Sequence, residues 1–396
     1  MKTTNNYHSK MKYLCLGWYL DFKCPGGNCG LTCCSSEWNI SLKDDEIKMY
    51  DESSHPFMDT FRTFIDYANH KMKCNGDTCA ALDNDGYCTL VSNCGPEFLS
   101  KTCQTFPRRP KVFGDITEMW VEISCPIVAK NLLINTPIDF SLTESDNDVV
   151  CNITTLQLYD QLSPMRLKLI ELFGMLPGQF VSGKIFLTVQ QIKKYNTLIQ
   201  TDSLSKESSN ILVSQLDDNT IEKTLVECEQ LNNNTDLKVN IIHTVLRSIL
   251  SDAFLLKNLN KVFSIREYLI KHINCWTNDI EQFKADLVPY TKFVNSSYPL
   301  LKDNYLVYTL FTSWIVDNVT AFGNEFSARM VELLIIQLCA MALWKETGDL
   351  NQDEFSILIA AADRRTEHVA NHIEKILSTL QSIDIDEDIL LTMMII

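Results

Sequence analysis

The residues of this chain best suited to chemistry are its thiols. Cys24, Cys29, Cys33 and Cys34 stand close together, followed by Cys79 and Cys88 and then by Cys103 and Cys125. Cys24-Pro25-Gly26-Gly27-Asn28-Cys29 and Cys74-Asn75-Gly76-Asp77-Thr78-Cys79 both read Cys-x-Gly-x-x-Cys, an internal echo in which glycine lets the backbone fold two thiols toward each other. Several soft ligands aimed at one point are what a tetrahedral zinc ion or an iron–sulfur cluster requires. The candidate ligands are Cys24, Cys29, Cys33, Cys34, Cys88 and Cys103. Neighbours such as Cys33 and Cys34 rarely both reach one metal, so one of them is expected to be packed, redox-active or bound elsewhere. Cys103-Gln-Thr-Phe-Pro107 and Cys125-Pro126 place proline soon after cysteine, as ferredoxin-type ligand runs do. Cys29 and Cys33 give the first interval of Cys-x-x-x-Cys-x-x-Cys, but position 36 is Ser, so radical chemistry of the common type is not expected.

Eleven of the 15 cysteines fall within the first 125 residues, and the surroundings decide what they mean. Met1 to Lys12 is polar and basic, without the apolar stretch of a secretory signal, which points to the cytoplasm. There, clustered cysteines argue for a metal or cluster site over a disulfide scaffold. Cys151, Cys228, Cys275 and Cys339 stand singly in or beside helical segments and are expected to be small core residues. His55 and His70 lie near the cysteine turns as surface or capping residues, with ligation the alternative. Arg108 and Arg109 read as a solvated pair that could also clamp a carboxylate.

The elements that position these thiols divide the chain of 396 residues. Residues 1–130 carry 14 basic and 16 acidic side chains, while the remainder carries 21 and 34 and most of the net charge of −15. No basic patch interrupts that balance, so nucleic acid is not an expected partner. Within the first part, Leu42 to Tyr50 and Phe57 to Met72 read as helices, Tyr87 to Val91 as strand-like, and Thr117 to Cys125 as a short helix or a strand. Beyond residue 150, helical periodicity dominates: Thr154 to Leu176 with an interruption near Pro164, then Ser182 to Ile199, Ile211 to Asn232, Val239 to Leu256 and Asn258 to Trp276. Asp279 to Val294, Asp303 to Val319, Glu325 to Thr347 and Asp353 to Ser382 follow. Asp279 and the run Asn351 to Glu354 carry helix-start signals. Met330 to Trp344 is the most apolar run, yet it contains Glu332 and Gln337 and falls short of the roughly 20 residues a membrane span needs, so a buried helix and no membrane partner are expected. The expected fold is mainly α: a cysteine-rich metal-binding module at 1–130, a linker at 131–150 centred on Phe140 to Val149, and an all-helical domain at 151–396, with Thr201 to Asn210 a loop inside it. No Gly-x-Gly-x-x-Gly follows a strand, so a doubly wound nucleotide-binding sheet is not expected.

The cysteines also carry a resemblance. Cys24-x4-Cys29-x3-Cys33-Cys34 followed by Trp38, then Cys79-x-x-Leu82-Asp83 with Gly86-Tyr87-Cys88, then Leu99-x-Lys101-Thr102-Cys103-Gln104-Thr105-Phe106-Pro107-Arg108 and Ser124-Cys125-Pro126 together resemble the flagellin lysine-N-methylase family. The segment Asp303 to Phe311 looks like part of that family's helical half, whereas Cys74 and Cys94 stand outside its cysteine pattern. The resemblance implies methylation of flagellin lysines by S-adenosylmethionine in the cytoplasm, with an iron–sulfur cluster in the cysteine-rich part and zinc as its alternative. Methyl transfer from a sulfonium needs no electron, so a structural or redox-sensing role is expected for such a cluster. A sulfonium and an ammonium are both attracted to aromatic faces, which makes Tyr305 and Tyr308, in a row with Phe311 and Trp314, candidates for a catalytic wall. Core packing is the more common reason for such a row. The competing reading is a non-enzymatic metal-binding or redox-responsive interaction protein.

Overall fold

A computed structural model describes residues 6–35, 40–76, 78–249, 265–315, 319, 322–368 and 372–396. Trp38, Asp77, the end of the Val239–Leu256 helix, the start of the Asn258–Trp276 helix and part of Asp353–Ser382 lie outside them.

The helical expectation holds for the second half. Helices run over Ile153–Met175, Val181–Gln200, Lys206–Gln215, Asp218–Asn232, Thr235–Ile249, Ile265–Asn278, Ile280–Ser297, Leu301–Ser313, Asn324–Thr347, Gln352–His368, His372–Gln381 and Glu387–Met393. The start signals do what their chemistry predicts. Asp279 accepts the Gln282 amide at 3.0 Å, while Asn351 and Glu354 exchange side chain-to-backbone bonds of 3.1 and 3.0 Å. Where one helix was expected from Ile211 to Asn232 there are two, because Asp217 caps a new start on the Thr220 amide at 2.8 Å. The first of them already begins at Lys206, inside the expected loop. Pro164 sits within an unbroken helix, flanked by buried Leu162, Met165 and Leu169, so tertiary packing outweighs the lost backbone bond.

The first half departs from expectation. Strands β1 (Asn6–Leu16), β2 (Ile65–Asp66), β3 (Lys71–Met72), β4 (Cys74–Asn75), β5 (Thr78–Cys79), β6 (Arg108–Phe113), β7 (Ile116–Val121) and β8 (Phe140–Asn152) make one four-stranded sheet and two small ribbons. The large sheet has the order β6-β7-β1-β8, with β1 parallel to β7 and antiparallel to β8. A mainly α fold without this sheet is therefore corrected, and so is the linker: Phe140 to Val149 belongs to β8, the sheet's edge. Its Leu142, Thr143 and Glu144 are exposed, and a solvated edge strand carries the polar, charged composition of a linker. The helix expected over Phe57 to Met72 stops at Arg62, whose guanidinium donates to the carbonyls of Tyr50, Asp51 and Ser53. β2 and β3 follow, turning through His70 at φ 47°. Residues read as strand-like after Tyr87 form the helix Thr89–Cys94 instead.

Two apolar cores result. A small one gathers Leu42, Tyr50, Met58, Phe61, Ile65, Met72, Ala81 and Leu90 beneath the cysteine turns. The large one joins the sheet to the helices, uniting Leu16, Phe113 and Val121 with Tyr305, Phe311 and Leu334. Its axis is the helix Asn324–Thr347, buried from Phe326 to Leu343. Among the described residues this is the one helix long and apolar enough to cross a membrane, and protein covers its whole apolar window.

A candidate metal centre in a cysteine-lined cavity

A cavity of about 1130 Å³ opens where the small core meets the sheet and the helix Gln352–His368. All six cysteines singled out as ligands line it, Cys24, Cys29, Cys33, Cys34, Cys88 and Cys103, joined by Cys74, Cys79 and Cys125. Local structure places each. Gly26 and Gly30, at φ 68° and 72°, turn the chain around Cys29, and Cys33 begins a short 3-10 turn. Cys88 precedes the helix Thr89–Cys94, and Cys103 lies in the helix Lys101–Thr105, where Ser100 caps its amide at 3.3 Å. Cys125 sits at the head of the helix Pro126–Ala129.

The lining is also charged. Arg364 donates to the carbonyls of Ser124, Thr32 and Leu31 at 2.8, 3.1 and 3.1 Å, pinning the segment between Cys29 and Cys33. Among the described residues Lys43, Lys101, Arg108, Arg109 and Arg364 line the cavity against one carboxylate, Glu122. A positive lining of this kind offsets the negative charge of ionised thiols. Cys34 donates to the Cys33 sulfur, which together with nearby Arg364 brings the Cys33 thiol down to about 7, while Cys34 holds its proton. Burial pushes Cys103 up to about 12 and Cys79 and Cys125 up to about 11. No three metal-binding side chains among the described residues stand close enough to hold one ion.

Arg108 and Arg109 are not a free pair. Arg108 donates to the Phe22 carbonyl at 2.9 Å, and Arg109 donates to Glu122 Oε1 at 2.5 Å. Glu122 is 6% exposed, and burial raises its carboxyl against the pull of Arg109. Its Oε2, the Ser124 hydroxyl and Asp363 Oδ2 are buried without a well-formed hydrogen bond among the described residues. Behind them Arg329 bridges Asp363 and Glu332 at 2.5 and 2.9 Å, and burial lifts Asp363 to about 7.

Tyr305 and Tyr308 do not line the cavity. Both are core residues: the Tyr305 hydroxyl donates to Glu332 at 2.9 Å, and that of Tyr308 accepts the Ile123 amide at 3.3 Å. Phe311 packs on Phe140, and the Trp314 indole donates to the Leu162 carbonyl. The aromatic row thus builds the joint between sheet and helices. His70 pairs with exposed Asp44, and His55 meets Cys94 at 3.3 Å, both away from the cavity lining. Cys228 and Cys339 are buried as expected, but Cys275 is exposed, and the Cys151 side chain lies outside the described residues. Glu122, Asp363 and Arg364 escaped the sequence reading. A charged residue in the apolar run Val121-Glu122-Ile123 was the one local signal.

Residues 179–394, over half of the chain, match the FliB lysine N-methylase C-terminal domain. That stretch contains Asp303 to Phe311 and Arg364, and lies outside the cysteine motifs. Over 135 residues the chain is 28% identical to the lysine-N-methylase of Salmonella typhimurium, covering 31% of this chain and 32% of that protein. It is 26% identical over 132 residues to the lysine-N-methylase of Salmonella choleraesuis, with the same coverage of each. The flagellar biosynthetic protein FliU of Salmonella muenchen is 28% identical over 135 residues, 31% of this chain and 77% of FliU. The chain therefore spans about a third (32%) of the length of the lysine-N-methylases it matches. No solved structure matches it. With the match running through most of the helical half, the chain belongs to the FliB lysine N-methylase family.

Proposed function

We propose that this chain is a protein lysine N-methyltransferase that uses S-adenosylmethionine, acts on flagellin in the cytoplasm before export, and holds an iron–sulfur cluster in the cysteine-lined cavity. Family membership supports the methyl transfer, and the chain's likeness to a flagellar biosynthetic protein supports a flagellar substrate. The observation that carries the reading is the meeting, in one cavity, of nine cysteines with Arg364 from the family-matched half. The donor set is soft and its surroundings are positive among the described residues. Those features suit an iron–sulfur cluster, with a zinc ion as the alternative. Four of Cys24, Cys29, Cys33, Cys34, Cys88 and Cys103 would hold it, and a bound cluster would tie the cysteine turns to one another.

The reaction makes one demand of the protein that its residues can meet. A lysine, with an ordinary pKa near ~10.4, must shed a proton before its nitrogen attacks. Glu122 is the carboxylate on the cavity wall among the described residues, with one oxygen held by Arg109 and Ser124 nearby, and burial makes it a better proton acceptor than a solvated glutamate. It would draw the ammonium in, take its proton and pass it to solvent. As the nitrogen–carbon bond forms, the bond from the donor's sulfur to its methyl breaks, and the sulfonium leaves as a neutral thioether. Alignment of the two within about 3–3.5 Å supplies much of the acceleration.

The test is to incubate anaerobically purified protein, assayed for iron and sulfide, with flagellin and S-adenosylmethionine. The expected product is flagellin heavier by methyl increments on lysine. Unmodified flagellin beside a protein with its full metal content would favour the metal-binding interaction protein.

A further inference from the structure

The ribbon of β4 and β5 sets two cysteines face to face. Cys74 and Cys79 are direct partners in the antiparallel register, with Asn75 opposite Thr78 and Gly76 turning the chain at φ 63°. The Ala80 amide donates to the Lys73 carbonyl at 2.9 Å, which makes the flanking pair the hydrogen-bonded one. Pairs alternate along an antiparallel ladder, so Cys74 and Cys79 occupy a non-hydrogen-bonded position, where opposed Cα atoms are about 4.5 Å apart and the side chains lie on the same face. That separation falls inside the range a disulfide spans, roughly 4.4–6.8 Å between Cα atoms. Both are free thiols: Cys74 is exposed and Cys79 is half-buried. Both line the cavity, where Cys79 feels Cys33 and Cys88.

We infer that Cys74 and Cys79 are a peroxide-oxidisable dithiol that closes into a cross-strand disulfide. The exposed Cys74 sulfur attacks one oxygen of hydrogen peroxide, forming a sulfenic acid and releasing water. The Cys79 sulfur then displaces the hydroxyl from that sulfenic sulfur, and a second water leaves. Two thiols and one peroxide thus become one disulfide and two waters, and a reducing dithiol restores the starting state. The reaction ties up Cys79 beside Cys33 and Cys88, two of the proposed ligands. Cys74, at the foot of the ribbon, is therefore a redox guard on the cavity. This consequence for a bound metal rests on the proposed metal centre, whereas the disulfide does not.

Full-length protein, treated with graded hydrogen peroxide and alkylated, is digested without reduction and mapped by mass spectrometry. The expected result is a peptide linked through Cys74 and Cys79, lighter by two hydrogens, appearing at lower peroxide than any other cysteine linkage and lost after dithiothreitol. Cys74→Ser should lack it while keeping the wild-type melting temperature, and Cys94→Ser should form it as wild type does. Cys74 recovered as free alkylated thiol while other cysteines oxidise, or Cys79 linked first to Cys33 or Cys88, would overturn the inference. Iron and zinc are measured in the same samples. Earlier metal loss in wild type than in Cys74→Ser supports the guard role, and equal loss, or a protein without metal, overturns that role and leaves the linkage to be judged by the map.

Discussion

At the scale of single residues, the carboxyl of Glu122 is the most informative group. It is buried, tied by one oxygen to Arg109, and raised by desolvation. In its proposed role as the base, a carboxyl raised in this way is protonated, and useless, as the medium becomes acidic. Methylation should therefore fall as pH drops toward its raised pKa and level off above it. Glu122→Gln cannot accept a proton at any pH, so kcat should fall about 10²-fold or more and lose that acidic limb, while iron content stays unchanged. A rate–pH profile of the two proteins checks this, and an unaltered profile would assign the base elsewhere. Beyond the charge set in Val121-Glu122-Ile123, neither this residue nor Arg364 was legible in the sequence. The partners that define them are strands or carbonyls distant in the chain, as between Arg364 and Ser124. The cysteines were legible because thiols at short spacing on glycine turns need no distant partner to be noticed.

Helices announce themselves through local chemistry, which is why the second half was readable at the scale of elements. Asp279 illustrates the point: its side chain satisfies a free amide at the helix start. Asp279→Ala should cost about 0.5–2 kcal/mol, measured by denaturant unfolding and recovered by Asn or Ser. Strands are read through their neighbours, and β8 shows the difficulty. Its Leu142, Thr143 and Glu144 are exposed, and what makes them a strand is pairing with β1, more than a hundred positions away. The aromatic row failed for a related reason. Tyr305, Tyr308 and Phe311 have one spacing whether they face a ligand or a core, and only the arrival of Phe140 and Ile123 decides for the core.

For the whole molecule, the decisive contact is ionic. Arg166, in the helix Ile153–Met175, forms a buried two-oxygen pair with Glu118 of β7 and also donates to the Phe311 carbonyl. Glu118→Gln leaves the guanidinium unpaired in the core and should destabilise the protein by about 3–5 kcal/mol in equilibrium unfolding. Loss of under about 1 kcal/mol would show that water reaches the site. Because this pair and the large core bind the sheet to the helices, residues 140–152 act as structure shared by both halves and do not separate them.

The three carbonyls gathered by Arg364 bear on how such a protein can change over evolutionary time. Two come from the turn between cysteines and one from Ser124, yet the arginine itself lies in the last tenth of the chain. The front and back of the chain are thus physically coupled. A crossover that exchanged only the first 130 residues between family members would inherit a cysteine cradle with its clasp missing, unless the recipient already carried an arginine at the same place.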